Sequence, residues 1–308
     1  MKLSIIAPVF NEEGSLRELH QSIVSVCETS AYSFEVIFVN DGSKDGSLEI
    51  MKQLSPLKII NLRRNFGQTA AMDAGVREAK GDIIITMDSD LQNDPMDIPL
   101  LLNELDKGYD VVSGWRKKRQ DSSSKKMISR GANFLRKILI DDGIHDSGCT
   151  LKAYRRECFE NLDLFGEMHR FIPALMKIRG FKIGEVEVNH HPRTSGKTKY
   201  GFKRTVKGFL DLLSVWFWKK YSSRPLHLFG GVGFCIIIIS FLAIIVAFCQ
   251  KLFYQEDLSG NALTIISFFG LMVGIQFFIF GLLMDIAVKT YYRTGREKYY
   301  EMKEIIER

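Results

Sequence analysis

Short apolar runs, rich in β-branched residues, alternate with amphipathic stretches along the first third of the chain. Leu3 to Val9, Phe34 to Val39, Leu57 to Leu62 and Ile83 to Met87 read as strands covered on both faces, where apolar positions are consecutive rather than alternating. Helical patterns follow through Cys27, from Lys44-Asp45-Gly46-Ser47 onward, and over Thr69 to Lys80. This order predicts an α/β fold: a mostly parallel sheet with helices on both faces. Ligands of such sheets bind at the carboxyl ends of the strands. Those ends carry Pro8-Val9-Phe10-Asn11-Glu12, Asn40-Asp41-Gly42-Ser43, Arg63-Arg64-Asn65 and Asp88-Ser89-Asp90. Further on, Asp110 to Val112 is a strand before Ser113-Gly114-Trp115-Arg116. Ser129 to Ile140 is amphipathic, and Asp146-Ser147-Gly148-Cys149 precedes another strand. Glu167 to Leu175 starts a helix, and Arg193 to Tyr200 is a basic loop.

Beyond Arg224 the pattern changes. Leu226 to Cys249 and Ala262 to Val288 are long apolar runs, each long enough to span a bilayer. Lys203, Arg204, Lys207, Lys219, Lys220 and Arg224 flank the first; Lys289, Arg293, Arg296 and Lys298 come after the second. The positive-inside rule then puts both flanks, and the domain before them, in the cytoplasm. Asp285, in the last turn of the second run, is expected to reach the interface. Phe202 to Lys220 has basic ends around aromatic and aliphatic residues; it reads as an interfacial helix, with domain packing as the alternative. The expected organisation is a domain over 1–200, an interfacial helix over 201–225, two membrane helices over 226–288 with a short external loop, and a cytoplasmic tail over 289–308. The 308 residues are 46% hydrophobic with a net charge of +6, so the placement of charge says more than its size. The five cysteines are scattered without metal-binding spacing and are read as reduced. The apolar run at the N-terminus is too short for a signal peptide.

The central stretch is Ile83 to Gln92. Asp88, Asp90 and Gln92 are two residues apart, and in extended chain that spacing places all three on one side. Oxygen ligands converging there suit Mg²⁺ or Mn²⁺, which keep waters and accept phosphate oxygens. An ordinary acidic turn fits the same residues. No Gly-x-Gly-x-x-Gly follows the first strand and no P-loop motif occurs, so dinucleotide oxidoreduction and P-loop hydrolysis lack support.

Three motifs in register, Ala7-Pro8-Val9-Phe10-Asn11-Glu12-Glu13, Val39-Asn40-Asp41-Gly42-Ser43 and Met87-Asp88-Ser89-Asp90-Leu91-Gln92, resemble glycosyltransferase family 2. Asp-x-Asp-Leu-Gln looks like its polyprenyl-phosphate sugar transferases, such as dolichol-phosphate mannose synthase and the bacterial GtrB-type glucosyltransferases. Phe10 stands where many relatives have Tyr, and Thr198 where the family often has Ser. The resemblance implies a GT-A (Rossmann-like) nucleotide-sugar domain with a two-helix transmembrane anchor in the plasma (inner) membrane. It implies inverting transfer of one sugar, favoured as glucose from UDP-glucose, to polyprenyl phosphate.

Its family positions assign the nucleotide to Pro8, Glu12, Asp41 and Asp88, and a divalent Mg or Mn ion to Asp88, Asp90 and Gln92. Asp41 would accept from a base N–H or else form a turn. An acceptor phosphate monoester has a second pKa of about 6, so it attacks without an obligatory base. It needs capture, which Arg116 and Arg130 can supply as forks and Lys199 as a point charge. Asp146 is read as orienting the sugar or an arginine, with a base role as the alternative. His169 and Arg170 could line the acceptor route, or His169 could serve the core. The expected partners are a nucleotide sugar, the lipid and the membrane. A homo-oligomer stays open, and no nucleic acid is expected. The rival readings are a processive polysaccharide synthase, whose Gln-x-x-Arg-Trp motif does not occur here, and a non-catalytic membrane scaffold.

Overall fold

The computed structural model describes residues 1–117, 140, 143–160, 162, 164, 166, 168–192, 202–221, 224–254, 257–258 and 261–294. Its strands are β1 (Lys2–Val9), β2 (Ser33–Asn40), β3 (Lys58–Asn61), β4 (Ile83–Thr86), β5 (Val111–Trp115), β6 (Lys152–Arg155) and β7 (Ile183–Glu187). They form one seven-stranded sheet in the order β3-β2-β1-β4-β6-β5-β7. The helices are α1 (Leu16–Thr29), α2 (Ser47–Met51), α3 (Gln68–Glu78), α4 (Ile98–Asp106), α5 (Ile172–Ile178), α6 (Phe202–Tyr221), α7 (Pro225–Tyr254) and α8 (Ala262–Thr294).

The continuous apolar runs are explained by burial on both faces of the sheet. Leu3, Ile5, Ala7 and Val9 of β1 point into one core with Leu16, Leu19 and Ile23 of α1 and Leu101 and Leu105 of α4. Ile6, with Ile37, Val39 and Ile84, points into the other, beneath Ala71 and Met72 of α3 and Met176 of α5. The apolar side chains on both faces of these strands thus remove apolar area from water, at about 25 cal/mol per Å².

The first four strands are parallel to one another. β6 is antiparallel to both β4 and β5. An antiparallel strand enters the sheet at the edge where parallel strands leave it. The residues before β6 therefore sit beside those after β4 and β5. β7, a short edge strand parallel to β5, was not visible as an apolar run because Ile-Gly-Glu-Val-Glu is only half covered.

The chain divides into two compact units, Met1–Trp216 and Phe217–Arg308. The first extends past residue 200 into α6, where Leu212 and Val215 are buried against Ile140, Phe171 and Ala174. At those two positions α6 packs on the domain; the side chains of 202–209 lie outside the described ones.

In the second unit α7 and α8 each contain an apolar stretch long enough to cross a membrane, Pro225–Phe253 and Ala262–Thr290. A soluble core helix would be buried, but Phe234, Ile239, Ile266 and Phe269 are each at least 60% exposed. The two helices meet through small residues. A side chain on Gly274 would collide with the Gly233 carbonyl and Ile237, one on Gly270 with Ser240, and one on Gly281 with Leu226. Asp285 pairs with Lys289 one turn on (2.5 Å).

Candidate functional site

The carboxyl ends of β1 and β2 are stitched together by side chains. Ser43 Oγ accepts from the Asn11 amide (3.0 Å), Ser47 Oγ from Glu12 (3.0 Å), and Asn11 Oδ1 from Lys44 (2.8 Å). Asp41 is 3% exposed and accepts from the Phe66 and Gly67 amides (2.7 and 3.0 Å), which holds the loop between β3 and α3. Gly42, at φ +66°, lets that loop pass: a Cβ there would stand 2.5 Å from the Arg64 carbonyl carbon. Asp41 thus has a structural task as well as any ligand it meets. The resulting cleft is lined by Phe10, Asn40, Ser43, Asn61, Arg64 and Asn65 among others. The Arg64 guanidinium lies 4.4 Å over the Phe66 ring.

The acidic stretch corrects one expectation. β4 ends at Thr86, so strand alternation does not align Asp88, Asp90 and Gln92. They lie in a turn instead: Leu91 is at φ +62°, a left-handed conformation rare for a branched side chain. The Gln92 amide donates to Asp90 Oδ1 (3.2 Å). Asp88 Oδ1 accepts from Gln68 Nε2, the first residue of α3 (2.8 Å). Between the two acids Ser89 Oγ donates to the Pro8 carbonyl (2.8 Å), and the Ser89 carbonyl accepts from Ser15 Oγ (2.6 Å). Pro8, Glu12, Asp88 and Asp90 therefore belong to one connected edge. Asn93 Oδ1 accepts from the Asp88 amide and from Thr150 Oγ1 (3.1 and 2.8 Å), tying the turn to the segment before β6.

That segment carries Asp146, and the antiparallel entry of β6 sets it against Arg116 at the end of β5. The contact is forked: Arg116 Nε to Asp146 Oδ2 at 2.7 Å and Nη2 to Oδ1 at 3.0 Å. Both side chains are about nine-tenths buried. Burial disfavours the guanidinium charge, but the hydrogen bonds and charge of Asp146 outweigh it and hold Arg116 above its ordinary pKa. Gly148 allows the approach; a Cβ there would stand 3.1 Å from Arg116 Nη2. Glu185 of β7 accepts from the His145 and Asp146 amides (2.9 and 3.1 Å) and so fixes the backbone that presents the carboxylate. Trp115 stacks on His145, centroids 4.6 Å apart.

Beneath the pair lies Lys152, 2% exposed, donating to the carbonyls of Ser147 and Cys149. Burial pulls its pKa below the usual lysine range, while the charges of Asp146 and Asp88 act the other way. Burial pushes the Cys149 thiol up to about 11, so it is neutral at physiological pH.

Arg130 and Lys199 lie outside the described residues. His169 is buried, with Nδ1 2.7 Å from Thr69 Oγ1, a partner within the core. Sequence reasoning missed Gln68, Asn93, Thr150, Lys152 and Glu185. Only Lys152 left a signal, as a charged residue in the strand expected after Cys149.

The model for glycosyl transferase family 2 matches residues 4–163. The chain is 37% identical over its whole length, and over 94% of the relative, to a dodecaprenyl-phosphate galacturonate synthase from Rhizobium johnstonii. It is 34% identical, over 99% of itself and 94% of the relative, to an undecaprenyl-phosphate 4-deoxy-4-formamido-L-arabinose transferase from Aeromonas hydrophila. Among solved structures, the glucosyl-3-phosphoglycerate synthase of Mycobacterium tuberculosis, crystallised with Mn²⁺, UDP and glucosyl-3-phosphoglycerate, superposes with a TM-score of 0.57. It shares 17% identity over 71% of this chain and 79% of that one. The mannosyl-3-phosphoglycerate synthase of Rubrobacter xylanophilus gives 0.58 at 13% identity over 70% and 73%.

Proposed function

This chain belongs to glycosyl transferase family 2, and we propose that it transfers one sugar from a nucleoside diphosphate to polyprenyl phosphate, inverting the anomeric carbon. The observation that carries this reading is the extent of the likeness to polyprenyl-phosphate sugar transferases: it runs through the catalytic domain and both apolar helices.

The nucleoside would occupy the cleft beside Phe10, Asn40 and Arg64, with Pro8, Glu12 and Asp41 forming its frame. The donor set of the acidic turn fits a hard dication: Asp88 and Asp90 offer carboxylate oxygens, and Gln92 a carbonyl, in a turn already held by Gln68, Asn93 and Ser89. Bound Mg²⁺ or Mn²⁺ would neutralise charge on the leaving diphosphate. Arg116, presented by Asp146 and Glu185, keeps N–H groups beyond the two turned to Asp146 and would grip the acceptor phosphate, aided by Arg130 and Lys199. Asp146 serves by orienting that arginine.

Glucose from UDP-glucose, the sequence-based expectation, has no specific support from the relatives, whose names carry galacturonate and 4-deoxy-4-formamido-L-arabinose. Galacturonate therefore goes first. The test gives purified protein undecaprenyl phosphate and, in turn, labelled UDP-galacturonate, UDP-glucose and UDP-4-deoxy-4-formamido-L-arabinose. One label should enter the lipid phase as a single sugar, UDP-galacturonate the expected donor. Transfer of none to lipid would sink the reading, and a growing polymer would establish the synthase rival.

The basic flanks of the two spans support a cytoplasmic catalytic domain and tail. Thiol-reactive labelling of Asn261→Cys and Arg308→Cys, with Cys235 and Cys249 replaced by serine, should find the first position accessible only from outside and the second only from inside. Labelling of both from the same face would overturn the two-span topology.

A further inference from the structure

Consecutive residues leading into α3 bond to three separate parts of the catalytic domain. The Phe66 and Gly67 amides donate to Asp41 at the end of β2 (2.7 and 3.0 Å). Gln68 Nε2 donates to Asp88 Oδ1 beyond β4 (2.8 Å). Thr69 Oγ1 lies 2.7 Å from His169 Nδ1 and 3.5 Å from the His169 amide nitrogen. His169 belongs to the turn Met168–Arg170, far along the chain. Thr69 and His169 are both buried, whereas Gln68 between the two anchors is half-buried.

We infer that this short run aims Asp88 at its cation, with Gln68 and Thr69 as positioning residues. Gln68 holds the carboxylate, and Asp41 and His169 pin the backbone on either side of Gln68. The inference rests on the metal-dependent reading above.

Three observations carry it. Asp88 lies past the end of β4 at Thr86, so strand pairing no longer fixes its direction. Asn93 secures only its backbone amide (3.1 Å), which leaves the side chain to Gln68. The chemistry of the donor also fits. A neutral carboxamide fixes the plane of the carboxylate and leaves lone pairs for an ion, while a lysine there would bring a charge that repels a dication. Hydrogen bonds of this kind to ligating carboxylates are typically worth ten- to a hundredfold in metal affinity. Finally, the Thr69–His169 contact is a polar pair in a buried place, and a satisfied buried pair fixes one arrangement of the elements it joins. What it joins is the first turn of α3 and the turn Met168–Arg170. His169 thus bears on the acidic turn through α3.

The test titrates Mn²⁺ into the full-length protein in detergent with UDP and follows free Mn²⁺ by electron paramagnetic resonance. Gln68→Met keeps length and helix propensity but removes the donor. It should weaken Mn²⁺ binding about ten- to a hundredfold and melt close to wild type. Its activity should recover in excess Mn²⁺, with kcat and the KM for lipid phosphate near wild type. A general loss of structure would instead lower the melting temperature and shift both kinetic constants at every Mn²⁺ concentration. Thr69→Val should weaken Mn²⁺ several-fold, and Thr69→Ser, which restores the hydroxyl, should recover most of it. Wild-type Mn²⁺ affinity in Gln68→Met would overturn the inference and leave the sugar-transfer reading standing. A loss in Gln68→Met with none in Thr69→Val would overturn the part given to Thr69 and His169. A wild type that binds no Mn²⁺ beside UDP would overturn the inference together with the metal in the proposed function.

Discussion

Asp90→Ala should reduce sugar transfer by about three orders of magnitude or more while the protein still folds. Charge neutralisation by a bound dication is worth several kcal/mol at the transition state, and each 1.4 kcal/mol is about tenfold in rate. The cost to the fold is far smaller. Asp90 Oδ1 accepts an amide hydrogen bond from Gln92 (3.2 Å), and losing such a bond costs about 1 kcal/mol. Asp90→Asn separates the two effects, since its side-chain oxygen can keep the turn bond while losing the charge. It should melt close to wild type yet remain nearly as inactive. Mn²⁺ binding, followed by electron paramagnetic resonance, should be weakened in both variants, and excess chelator should reproduce their loss of activity. Full activity in excess chelator would remove the metal from the mechanism.

The strands that carry this turn were legible because burial on both faces leaves unbroken apolar runs such as Ile83-Ile84-Ile85. Such a run has no direction, which is why the antiparallel course of β6 could not be read. Direction decides the site: had β6 run parallel, Asp146 would lie at the opposite edge from Arg116. The acids were legible as a pair, but not the turn that carries them. Extended geometry ends at Thr86, and the left-handed Leu91 with the Asn93 bonds shapes the turn beyond it. The Asp41 reading met a competitor in the Phe66 and Gly67 amides, which approach from a loop whose path depends on Gly42.

Arg116 and Asp146 are expected to act as one unit, and a double-mutant cycle should show it. The pair is forked and about nine-tenths buried, so removing either partner strands the other's charge, an effect of roughly 3–5 kcal/mol in buried pairs. Arg116→Ala should raise the KM for lipid phosphate or lower kcat, about a hundredfold or more in kcat/KM, with donor binding by calorimetry little changed. Arg116→Lys should recover only part, because it restores the charge without the fork. Asp146→Asn should cost less than Asp90→Ala. Beside Arg116→Ala it should add little, since the carboxylate then has no arginine to orient. The pH profile is the sharper discriminator. An acceptor phosphate with a second pKa of about 6 is already ionised above neutrality, so no proton has to be taken from it. The rate should rise through that ionisation and level off, in wild type and in Asp146→Asn alike. A base would behave differently: Asp146→Asn would bind both substrates normally, be as inactive as Asp90→Ala, and recover at high pH. That result would move Asp146 from orienting Arg116 to taking a proton, and the acceptor would then require deprotonation rather than capture.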